Sequence, residues 1–248
     1  MKTEYAEMLE KPNVIGVVTR PEDVSVARMS SPDQIDGFEI RLDHWLYSIQ
    51  SKHTQALINL GRPLIVTPRD QSEGGVRQDW TIGDRMKLYR EWLPYATFID
   101  IEVAEAGKYA EIINRARDIG VGIILSHHNL MRASSMHTLT NAANDCNRLR
   151  GNVFKIAMRV VSEQDADLLD MAARTIRLAW GHSFKLSAMP IGEEWADLRF
   201  RDAAYGGPFI YCGLSTKMPG QPWAVKAKRE LETYCSGWSK AGTALVSR

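Results

Sequence analysis

The sequence predicts a single (β/α)8 (TIM) barrel, in which eight parallel strands alternate with helices. Eight short apolar runs are separated by about eight longer amphipathic stretches, an alternation that is typical of parallel βαβ units. The chain has 248 residues, and eight repeats in a chain of about 250 residues favour the closed barrel over an open doubly wound sheet. No linker rich in proline or serine divides the chain, so we expect one domain spanning residues 1–248.

The eight apolar runs have the length of buried strands. In chain order, the predicted strands are 14–18, 38–42, 63–67, 97–103, 121–126, 153–158, 183–188 and 208–212. Alternate residues of a barrel strand face the lumen and the surrounding helices, so each strand offers one set of side chains to the interior.

The stretches between these strands predict the helices. The first helix is expected near Gln34, and the others cover residues 45–60, 83–92, 106–117, 138–149, 163–179, 193–204 and 222–234. The stretch 193–204 has the weakest helical pattern. Gly61 and Gly120 directly follow two of the stretches, as residues that end helices often do.

The balance of charged and apolar residues excludes several classes of protein. Thirty-one Lys and Arg against thirty Asp and Glu leave a formal charge of +1, which argues against nucleic-acid binding through a strongly basic surface. No apolar run approaches the roughly 18 to 20 residues of a membrane-spanning helix. The charged segment 1–12 lacks the apolar stretch of a signal peptide. We therefore expect a cytoplasmic protein that binds neither nucleic acid nor membranes.

The cysteine spacing and the lack of nucleotide-binding motifs argue against several kinds of site. Cys146, Cys212 and Cys235 are widely spaced and form no CxxC pair, which fits a reducing cytosol and gives no support for structural zinc. No GxGxxG follows the first strand and no GxxxxGK[ST] occurs, which argues against a dinucleotide or P-loop site. The acidic residues show no metal-ligand pattern. We expect no metal and no other cofactor.

Polar side chains occupy lumen positions on the second and fourth predicted strands. Glu39, Arg41 and Asp43 share one face of the second strand, and Asp100 and Glu102 share one face of the fourth. Burying such groups is costly unless they pair with one another or bind a polar ligand. Two interpretations stay open here: a salt-bridge network that fixes the barrel, or a polar binding site.

A lysine and a histidine on neighbouring strands suggest a catalytic pair. Alone, Lys155 has the ordinary explanation of a strand lysine that reaches the rim, and one of the adjacent His127 and His128 must point away from any site. Together, Lys155 and His128 would supply an amine for imine formation and an imidazole for proton transfer. Lys185, on the lumen face of the seventh strand, is the rival amine, but it lies farther from the C-terminal end of its strand.

Six short motifs occur on these strand ends over about residues 39–221, and their common order makes them specific together. They are Glu39-Ile-Arg41-Leu-Asp43; Thr67-Pro-Arg69 followed by Glu73-Gly74-Gly75; Asp100-Ile-Glu102; Ser126-His127-His128-Asn129; Lys155-Ile156-Ala157; and Pro219-Gly220-Gln221. With these motifs the chain resembles the type I 3-dehydroquinate dehydratase (3-dehydroquinase) family. The resemblance implies a barrel-shaped hydro-lyase of the shikimate pathway, which removes water from the carboxylate 3-dehydroquinate to give 3-dehydroshikimate, and it makes a homodimer plausible.

The resemblance also implies the catalytic roles. Lys155 would form an imine with the C3 ketone of the substrate. His128 would remove the C2 proton and return a proton to the departing C1 hydroxyl, and Glu73 would orient that histidine. An imidazole suits both proton steps because its ordinary pKa is near 6.5.

Six further residues are implied to bind substrate, and their types suit a hydroxylated carboxylate, because arginine forms paired hydrogen bonds to carboxylates. Those that would line the pocket near the hydroxyl groups and Glu73 are Glu39, Arg41 and Arg69. Those that would hold the carboxylate are Arg199 and Gln221, and Lys217 takes the position of a residue that touches substrate in the family.

The loops that would hold the carboxylate depart from the family pattern. Lys217 stands where the family has a serine, so it either binds the carboxylate as a point charge or blocks the pocket. Bulky Trp195 and Leu198 precede Arg199, which leaves Arg201 as a competitor for its role. Two other functions therefore stay open: a lysine-imine lyase or aldolase for a related hydroxy-keto acid, and a binding homologue that has lost turnover.

Overall fold

Eight parallel strands form the centre of the computed structural model, which describes residues 4–45 and 51–245, with side chains as far as residue 236. The strands are β1 Asn13–Val18, β2 Gly37–Arg41, β3 Leu64–Thr67, β4 Phe98–Glu102, β5 Gly122–Asn129, β6 Val153–Arg159, β7 Lys185–Ile191 and β8 Phe209–Gly213. Each predicted strand is present, and the predicted (β/α)8 architecture is confirmed. The largest difference is in β7, which begins two residues later and ends three residues later than its apolar pattern indicates.

The strands pair in the order β7-β6-β5-β4-β3-β2-β1-β8, all in parallel. The sheet curls into a barrel whose last gap lies between β7 and β8. Across that gap, the hydroxyl of Ser187 donates a hydrogen bond of 3.3 Å to the carbonyl oxygen of Phe209. The barrel is therefore nearly closed, with a side-chain contact where a backbone ladder would complete it.

The α-helices are α1 Glu4–Met8, α2 Pro21–Met29, α3 Lys52–Ile58, α4 Ile82–Trp92, α5 Ala110–Asp118, α6 Met136–Arg148, α7 Glu163–Trp180, α8 Leu198–Ala204 and α9 Ala224–Leu245. The prediction of the first barrel helix near Gln34 is wrong. Gln34 lies in a turn, and α2 begins earlier because Pro21 and the side chain of Asp23 favour a helix start there. Of the predicted helix 45–60, residues 46–50 lie outside the described residues, and Trp45 precedes α3 in irregular backbone.

Two apolar layers stabilise the barrel. A large cluster lies between the strands and the helices, and a smaller one fills the lumen with residues such as Ile15, Ile124 and Val153. At the amino end of the strands, Tyr5 of α1 packs edge-on against Phe98 with ring centroids 5.8 Å apart. Because α1 and these aromatic residues fill that end of the lumen, the polar lumen residues lie towards the carboxyl ends of the strands.

Two further features concern membranes and metals. Among the described residues, no helix is both long and apolar enough to cross a membrane. Within the same ranges, no three His, Cys, Asp or Glu side chains converge as a group that could hold a metal ion. All three cysteines are free thiols, with Cys146 and Cys212 buried.

Candidate active site

A cavity of about 100 Å³ opens at the carboxyl ends of the strands, where barrel enzymes carry their active sites. Its wall combines charged groups with apolar side chains, among them Met189 and Ile191. Eight of the nine predicted site residues line it: Glu39, Arg41, Arg69, Glu73, His128, Lys155, Arg199 and Gln221. Lys217, the ninth, does not belong to this wall.

Lys155 lies at the base of the cavity, on β6, with only 3% of its surface exposed. Its Nζ is 2.5 Å from Oδ2 of Asp100 and 3.3 Å from Oε1 of Glu39. Two carboxylates therefore hold the ammonium group and are close enough to accept its proton. Lys185, the rival amine, begins β7 at the opposite end of the barrel and is exposed to solvent.

Arg69 connects the same carboxylates to the neighbouring strands. Its Nη2 is 3.0 Å from Oδ1 of Asp100, and its Nη1 donates to Glu102 at 3.0 Å and to Ser126 at 2.7 Å. Burial alone would raise the pKa of Asp100, but Arg69 and then Lys155 outweigh it and lower this pKa to about 2. Asp100 is thus ionised at neutral pH. The lumen residues form a salt-bridge network, and Glu39, Arg41 and Arg69 of that network line the cavity.

Glu73 reaches His128 from the short 3-10 helix Gln71–Glu73 that follows β3. This turn requires glycine after it: Gly74 has φ of +93°, and a Cβ on Gly75 would lie 2.2 Å from the carbonyl oxygen of Arg69. Oε2 of Glu73 accepts from the backbone N–H of His128 at 2.8 Å and lies 3.0 Å from its Nδ1. The carboxyl group thus fixes both the backbone and the ring of His128.

Burial changes the pKa values of both Glu73 and His128. Burial raises the pKa of Glu73 to about 8, against the opposing charge of Arg69. Burial, followed by the charges of Arg69 and Lys155, lowers the pKa of His128 well below its ordinary value. When Glu73 is ionised, it accepts from Nδ1–H of His128, which leaves Nε2 free to act as a base. The adjacent His127 contacts the hydroxyl of Ser134 at 2.8 Å instead.

Arg41 connects β2 to the turn that carries Glu73. Its guanidinium forms two hydrogen bonds of 2.8 Å to Asp43 and one of 3.3 Å to the carbonyl oxygen of Gly74. Burial would raise the pKa of Asp43, but its pairing with Arg41 lowers it overall. Asp43 therefore fixes the position of the Arg41 side chain and does not itself line the cavity.

Arg199 is a buried cation in the cavity wall, and no carboxylate of the described residues is in direct contact with it. Nη2 donates to the carbonyl oxygen of Pro190 at 2.6 Å, and Nε has no hydrogen-bond partner among the described residues. Burial lowers the pKa of Arg199 to about 10, with Glu193 opposing. Arg201, its competitor, pairs with Asp170 at 3.2 Å outside the cavity. An anionic group in the cavity would supply the partner that Arg199 lacks.

The structure places Lys217 differently from the expected substrate contact. Its Nζ lies 2.9 and 3.0 Å from the two carboxylate oxygens of Glu193, on the loop after β7. This carboxylate draws the ammonium group away from the cavity, so Lys217 neither lines nor blocks it. Gln221, four residues later, does line the cavity, and its Oε1 accepts from the backbone N–H of Met218 at 3.0 Å.

Sequence reasoning missed two residues near the site. Glu193, the partner of Lys217, lies in a loop without a motif. Tyr211 lies on β8 within the apolar run Phe209–Gly213, and such a run gives no signal beyond packing. Its ring centroid is 4.4 Å from Nζ of Lys155, so it belongs to the surroundings of the candidate nucleophile.

The comparison with known families agrees with this geometry. The sequence profile of the family described as Type I 3-dehydroquinase matches residues 16–234. The chain belongs to the type I 3-dehydroquinase family. Type I 3-dehydroquinases are hydro-lyases, so the resemblance, the enzyme class and the dehydratase function expected from the motifs are confirmed.

Individual relatives of this type I 3-dehydroquinase resemble it over nearly their whole length. The 3-dehydroquinate dehydratase of Thermococcus gammatolerans is 29% identical over 223 residues, which cover 89% of this chain and 97% of the relative. That of Staphylococcus saprophyticus is 27% identical over 214 residues, covering 82% and 88%. The crystal structure of the 3-dehydroquinate dehydratase from Geobacillus kaustophilus superposes with a TM-score of 0.80 at 19% identity, covering 93% and 92% of the two chains, and supports the fold.

Proposed function

We propose that this chain converts 3-dehydroquinate into 3-dehydroshikimate and water through an imine on Lys155. One observation carries the proposal: a buried amine at the base of the cavity lies between two carboxylates, and the Glu73–His128 pair lines the same wall. An amine and a base on neighbouring strands are the groups that an imine-based elimination needs.

In the first step, the ammonium group of Lys155 passes a proton to Glu39, because Arg69 keeps the neighbouring Asp100 ionised. The neutral nitrogen attacks the C3 carbonyl carbon, and an N–C bond forms. The C3–O bond then breaks, and the oxygen leaves as water, which carries the proton returned by the carboxylate and a second proton from nitrogen. The product is a protonated imine that carries a single N–H.

In the second step, Nε2 of His128 removes a proton from C2, and the bonding electrons move into the imine to form an enamine. The electrons return as the C1–O bond breaks, and the protonated imidazole gives its proton to the leaving hydroxyl, which departs as water. Hydrolysis of the remaining imine consumes one water and releases 3-dehydroshikimate and Lys155. Glu73 stabilises the charged imidazole between the two proton transfers.

The charged wall of the cavity binds the substrate in this proposal. Arg199 and Gln221 hold the carboxylate, and the position of Arg199 in the cavity wall, without a carboxylate partner among the described residues, supports this assignment. Glu39, Arg41 and Arg69 face the hydroxyl groups. Lys217 is left out of this set, because its ammonium group is already bound by Glu193.

We also propose a cytoplasmic homodimer. Three free thiols fit a reducing compartment. Met171 and Leu178, seven residues apart on α7, expose 54% and 87% of their surface and lie on one face of the helix, where a second copy of the chain could bury them. Sedimentation equilibrium tests the dimer, and a monomeric mass at micromolar concentration would contradict it.

Borohydride trapping tests the proposed function. The protein is incubated with 3-dehydroquinate, reduced, and digested for mass spectrometry, while formation of 3-dehydroshikimate is followed in parallel. We expect product formation and an adduct on Lys155. Lys155→Ala should lose both, and Lys185→Ala, the matched control, should keep both.

Other outcomes identify the competing functions. An adduct with a different hydroxy-keto acid, but none with 3-dehydroquinate, would indicate another lysine-imine lyase or aldolase. Carboxylate binding without any adduct would indicate a binding homologue. An adduct on Lys185 would overturn the assignment of the nucleophile.

A further inference from the structure

Tyr211 is a buried tyrosine that packs in the lumen cluster with its ring next to Lys155. It lines the cavity, only 2% of its surface is exposed, and its ring lies 4.4 Å from Nζ of Lys155. Among the described residues, its hydroxyl oxygen is buried without a hydrogen-bond partner. Leaving a buried hydroxyl unpaired is unfavourable, so a partner in another state of the protein would account for it.

Counting donors on Lys155 identifies such a state. The resting ammonium group has three N–H donors and contacts both Asp100 and Glu39. In the protonated imine, nitrogen keeps one N–H, because two protons have left with the carbonyl oxygen as water. At least one of the two buried carboxylates therefore loses its contact with a donor on Lys155 during turnover.

We propose that Tyr211 is a positioning residue for Lys155, whose ring supports the resting ammonium group and whose hydroxyl donates to Asp100 or Glu39 once Lys155 has become an imine. The inference rests on the proposed imine at Lys155. Both carboxylates act on the phenol electrostatically: after burial, their charges are what raise its pKa well above the ordinary value. The hydroxyl thus stays protonated and remains a donor throughout the working pH range.

Tyr211→Phe tests the role of the hydroxyl, because it keeps the ring. We expect kcat to fall roughly 5- to 100-fold, the effect of removing one hydrogen bond to a buried carboxylate. The fraction of Lys155 trapped by borohydride at saturating 3-dehydroquinate should fall with it. Binding of quinate, which has a hydroxyl in place of the ketone and forms no imine, should change less than about twofold.

Tyr109→Phe is the matched control. Tyr109 is also buried, its hydroxyl also lacks a partner among the described residues, and its ring also lies beside a cation, 5.4 Å from Cζ of Arg85. It does not line the cavity, so turnover, trapping and quinate binding should all stay within about twofold of wild type.

Several results would overturn the inference. Unchanged kcat in Tyr211→Phe would do so, as would a loss of quinate binding equal to the loss of kcat, because a general structural defect affects both. A variant that fails to fold would show that the hydroxyl already has a partner in the resting protein. If Tyr211→Phe behaves like wild type while Lys155 is trapped, this inference fails alone; if wild-type Lys155 is never trapped, the proposed function fails with it.

Discussion

Replacing Arg199 with methionine is expected to stabilise the free protein while weakening substrate binding. Burial lowers the pKa of Arg199 from its ordinary value to about 10. At about 1.36 kcal/mol per pKa unit, the folded state loses about 3 kcal/mol by holding this charge. This destabilisation is fully present below pH 10 and disappears above the ordinary pKa of arginine. Arg199→Met therefore removes the destabilisation at neutral pH.

Two opposing effects set the final magnitudes. The variant loses the hydrogen bond to the carbonyl oxygen of Pro190, which costs about 1–2 kcal/mol. The net gain in the free energy of unfolding is then about 1–2 kcal/mol. The lost charge-assisted hydrogen bonds to the substrate carboxylate, about 2–3 kcal/mol, correspond to roughly a 100-fold increase in KM.

Urea unfolding and steady-state kinetics measure the two effects separately. Arg201→Met is the control: it removes a partly exposed ion pair with Asp170, so we expect a loss of less than about 1 kcal/mol and an unchanged KM. The reasoning is refuted if Arg199→Met is destabilised with normal KM, or if the binding defect appears in Arg201→Met instead.

Three further predictions concern the rest of the site. Burial raises the pKa of Glu73 to about 8, and His128 stays unprotonated, so kcat/KM should rise with pH and level off above about pH 8. Initial rates measured from pH 6 to 9.5 test this expectation. In Glu73→Gln, these rates should be lower and should lack the rise. His128→Ala should reduce kcat by at least about 100-fold. His127→Ala, which removes a contact with Ser134, should change kcat less than about tenfold. Equal losses of kcat in the two variants would contradict the assignment of His128 as the base. Lys217→Met should change KM less than about threefold, because Lys217 contacts Glu193 outside the cavity, and a tenfold increase in KM would show that it reaches substrate.

The strand pattern predicted more of this fold than any other signal. Alternation of polar and apolar residues placed Glu39, Asp100 and Lys155 on the lumen face before any contact was known, because side-chain direction in a strand follows from parity. The amino end of the chain could not be predicted in the same way. Helix α1, Glu4–Met8, is too short for a clear helical period, and it is stabilised by contacts with distant residues such as Phe98.

Within the site, the pairing of two motif residues was predictable, and the partners of loop residues were not. The motifs indicated Glu73 and His128, whose contact the structure shows at 3.0 Å. The orientation of Lys217 depends on Glu193, 24 residues away in another loop, and parity carries no information about loops. Tyr211 could not be predicted because an aromatic residue in an apolar strand is expected to serve packing. Only the structure shows a cation against its ring.

The gap between β7 and β8 makes the two sides of the candidate active site differ in how their strands are joined. His128 and Lys155 lie on β5 and β6, which are joined by a continuous backbone ladder, so the reacting groups keep a fixed spacing. Arg199 and Gln221 come from segments that follow β7 and β8, the two edges joined through the hydroxyl of Ser187. We therefore expect local opening of the barrel to be easiest beside the segments proposed to bind the carboxylate, so that a product could be released without a change in the spacing of His128 and Lys155.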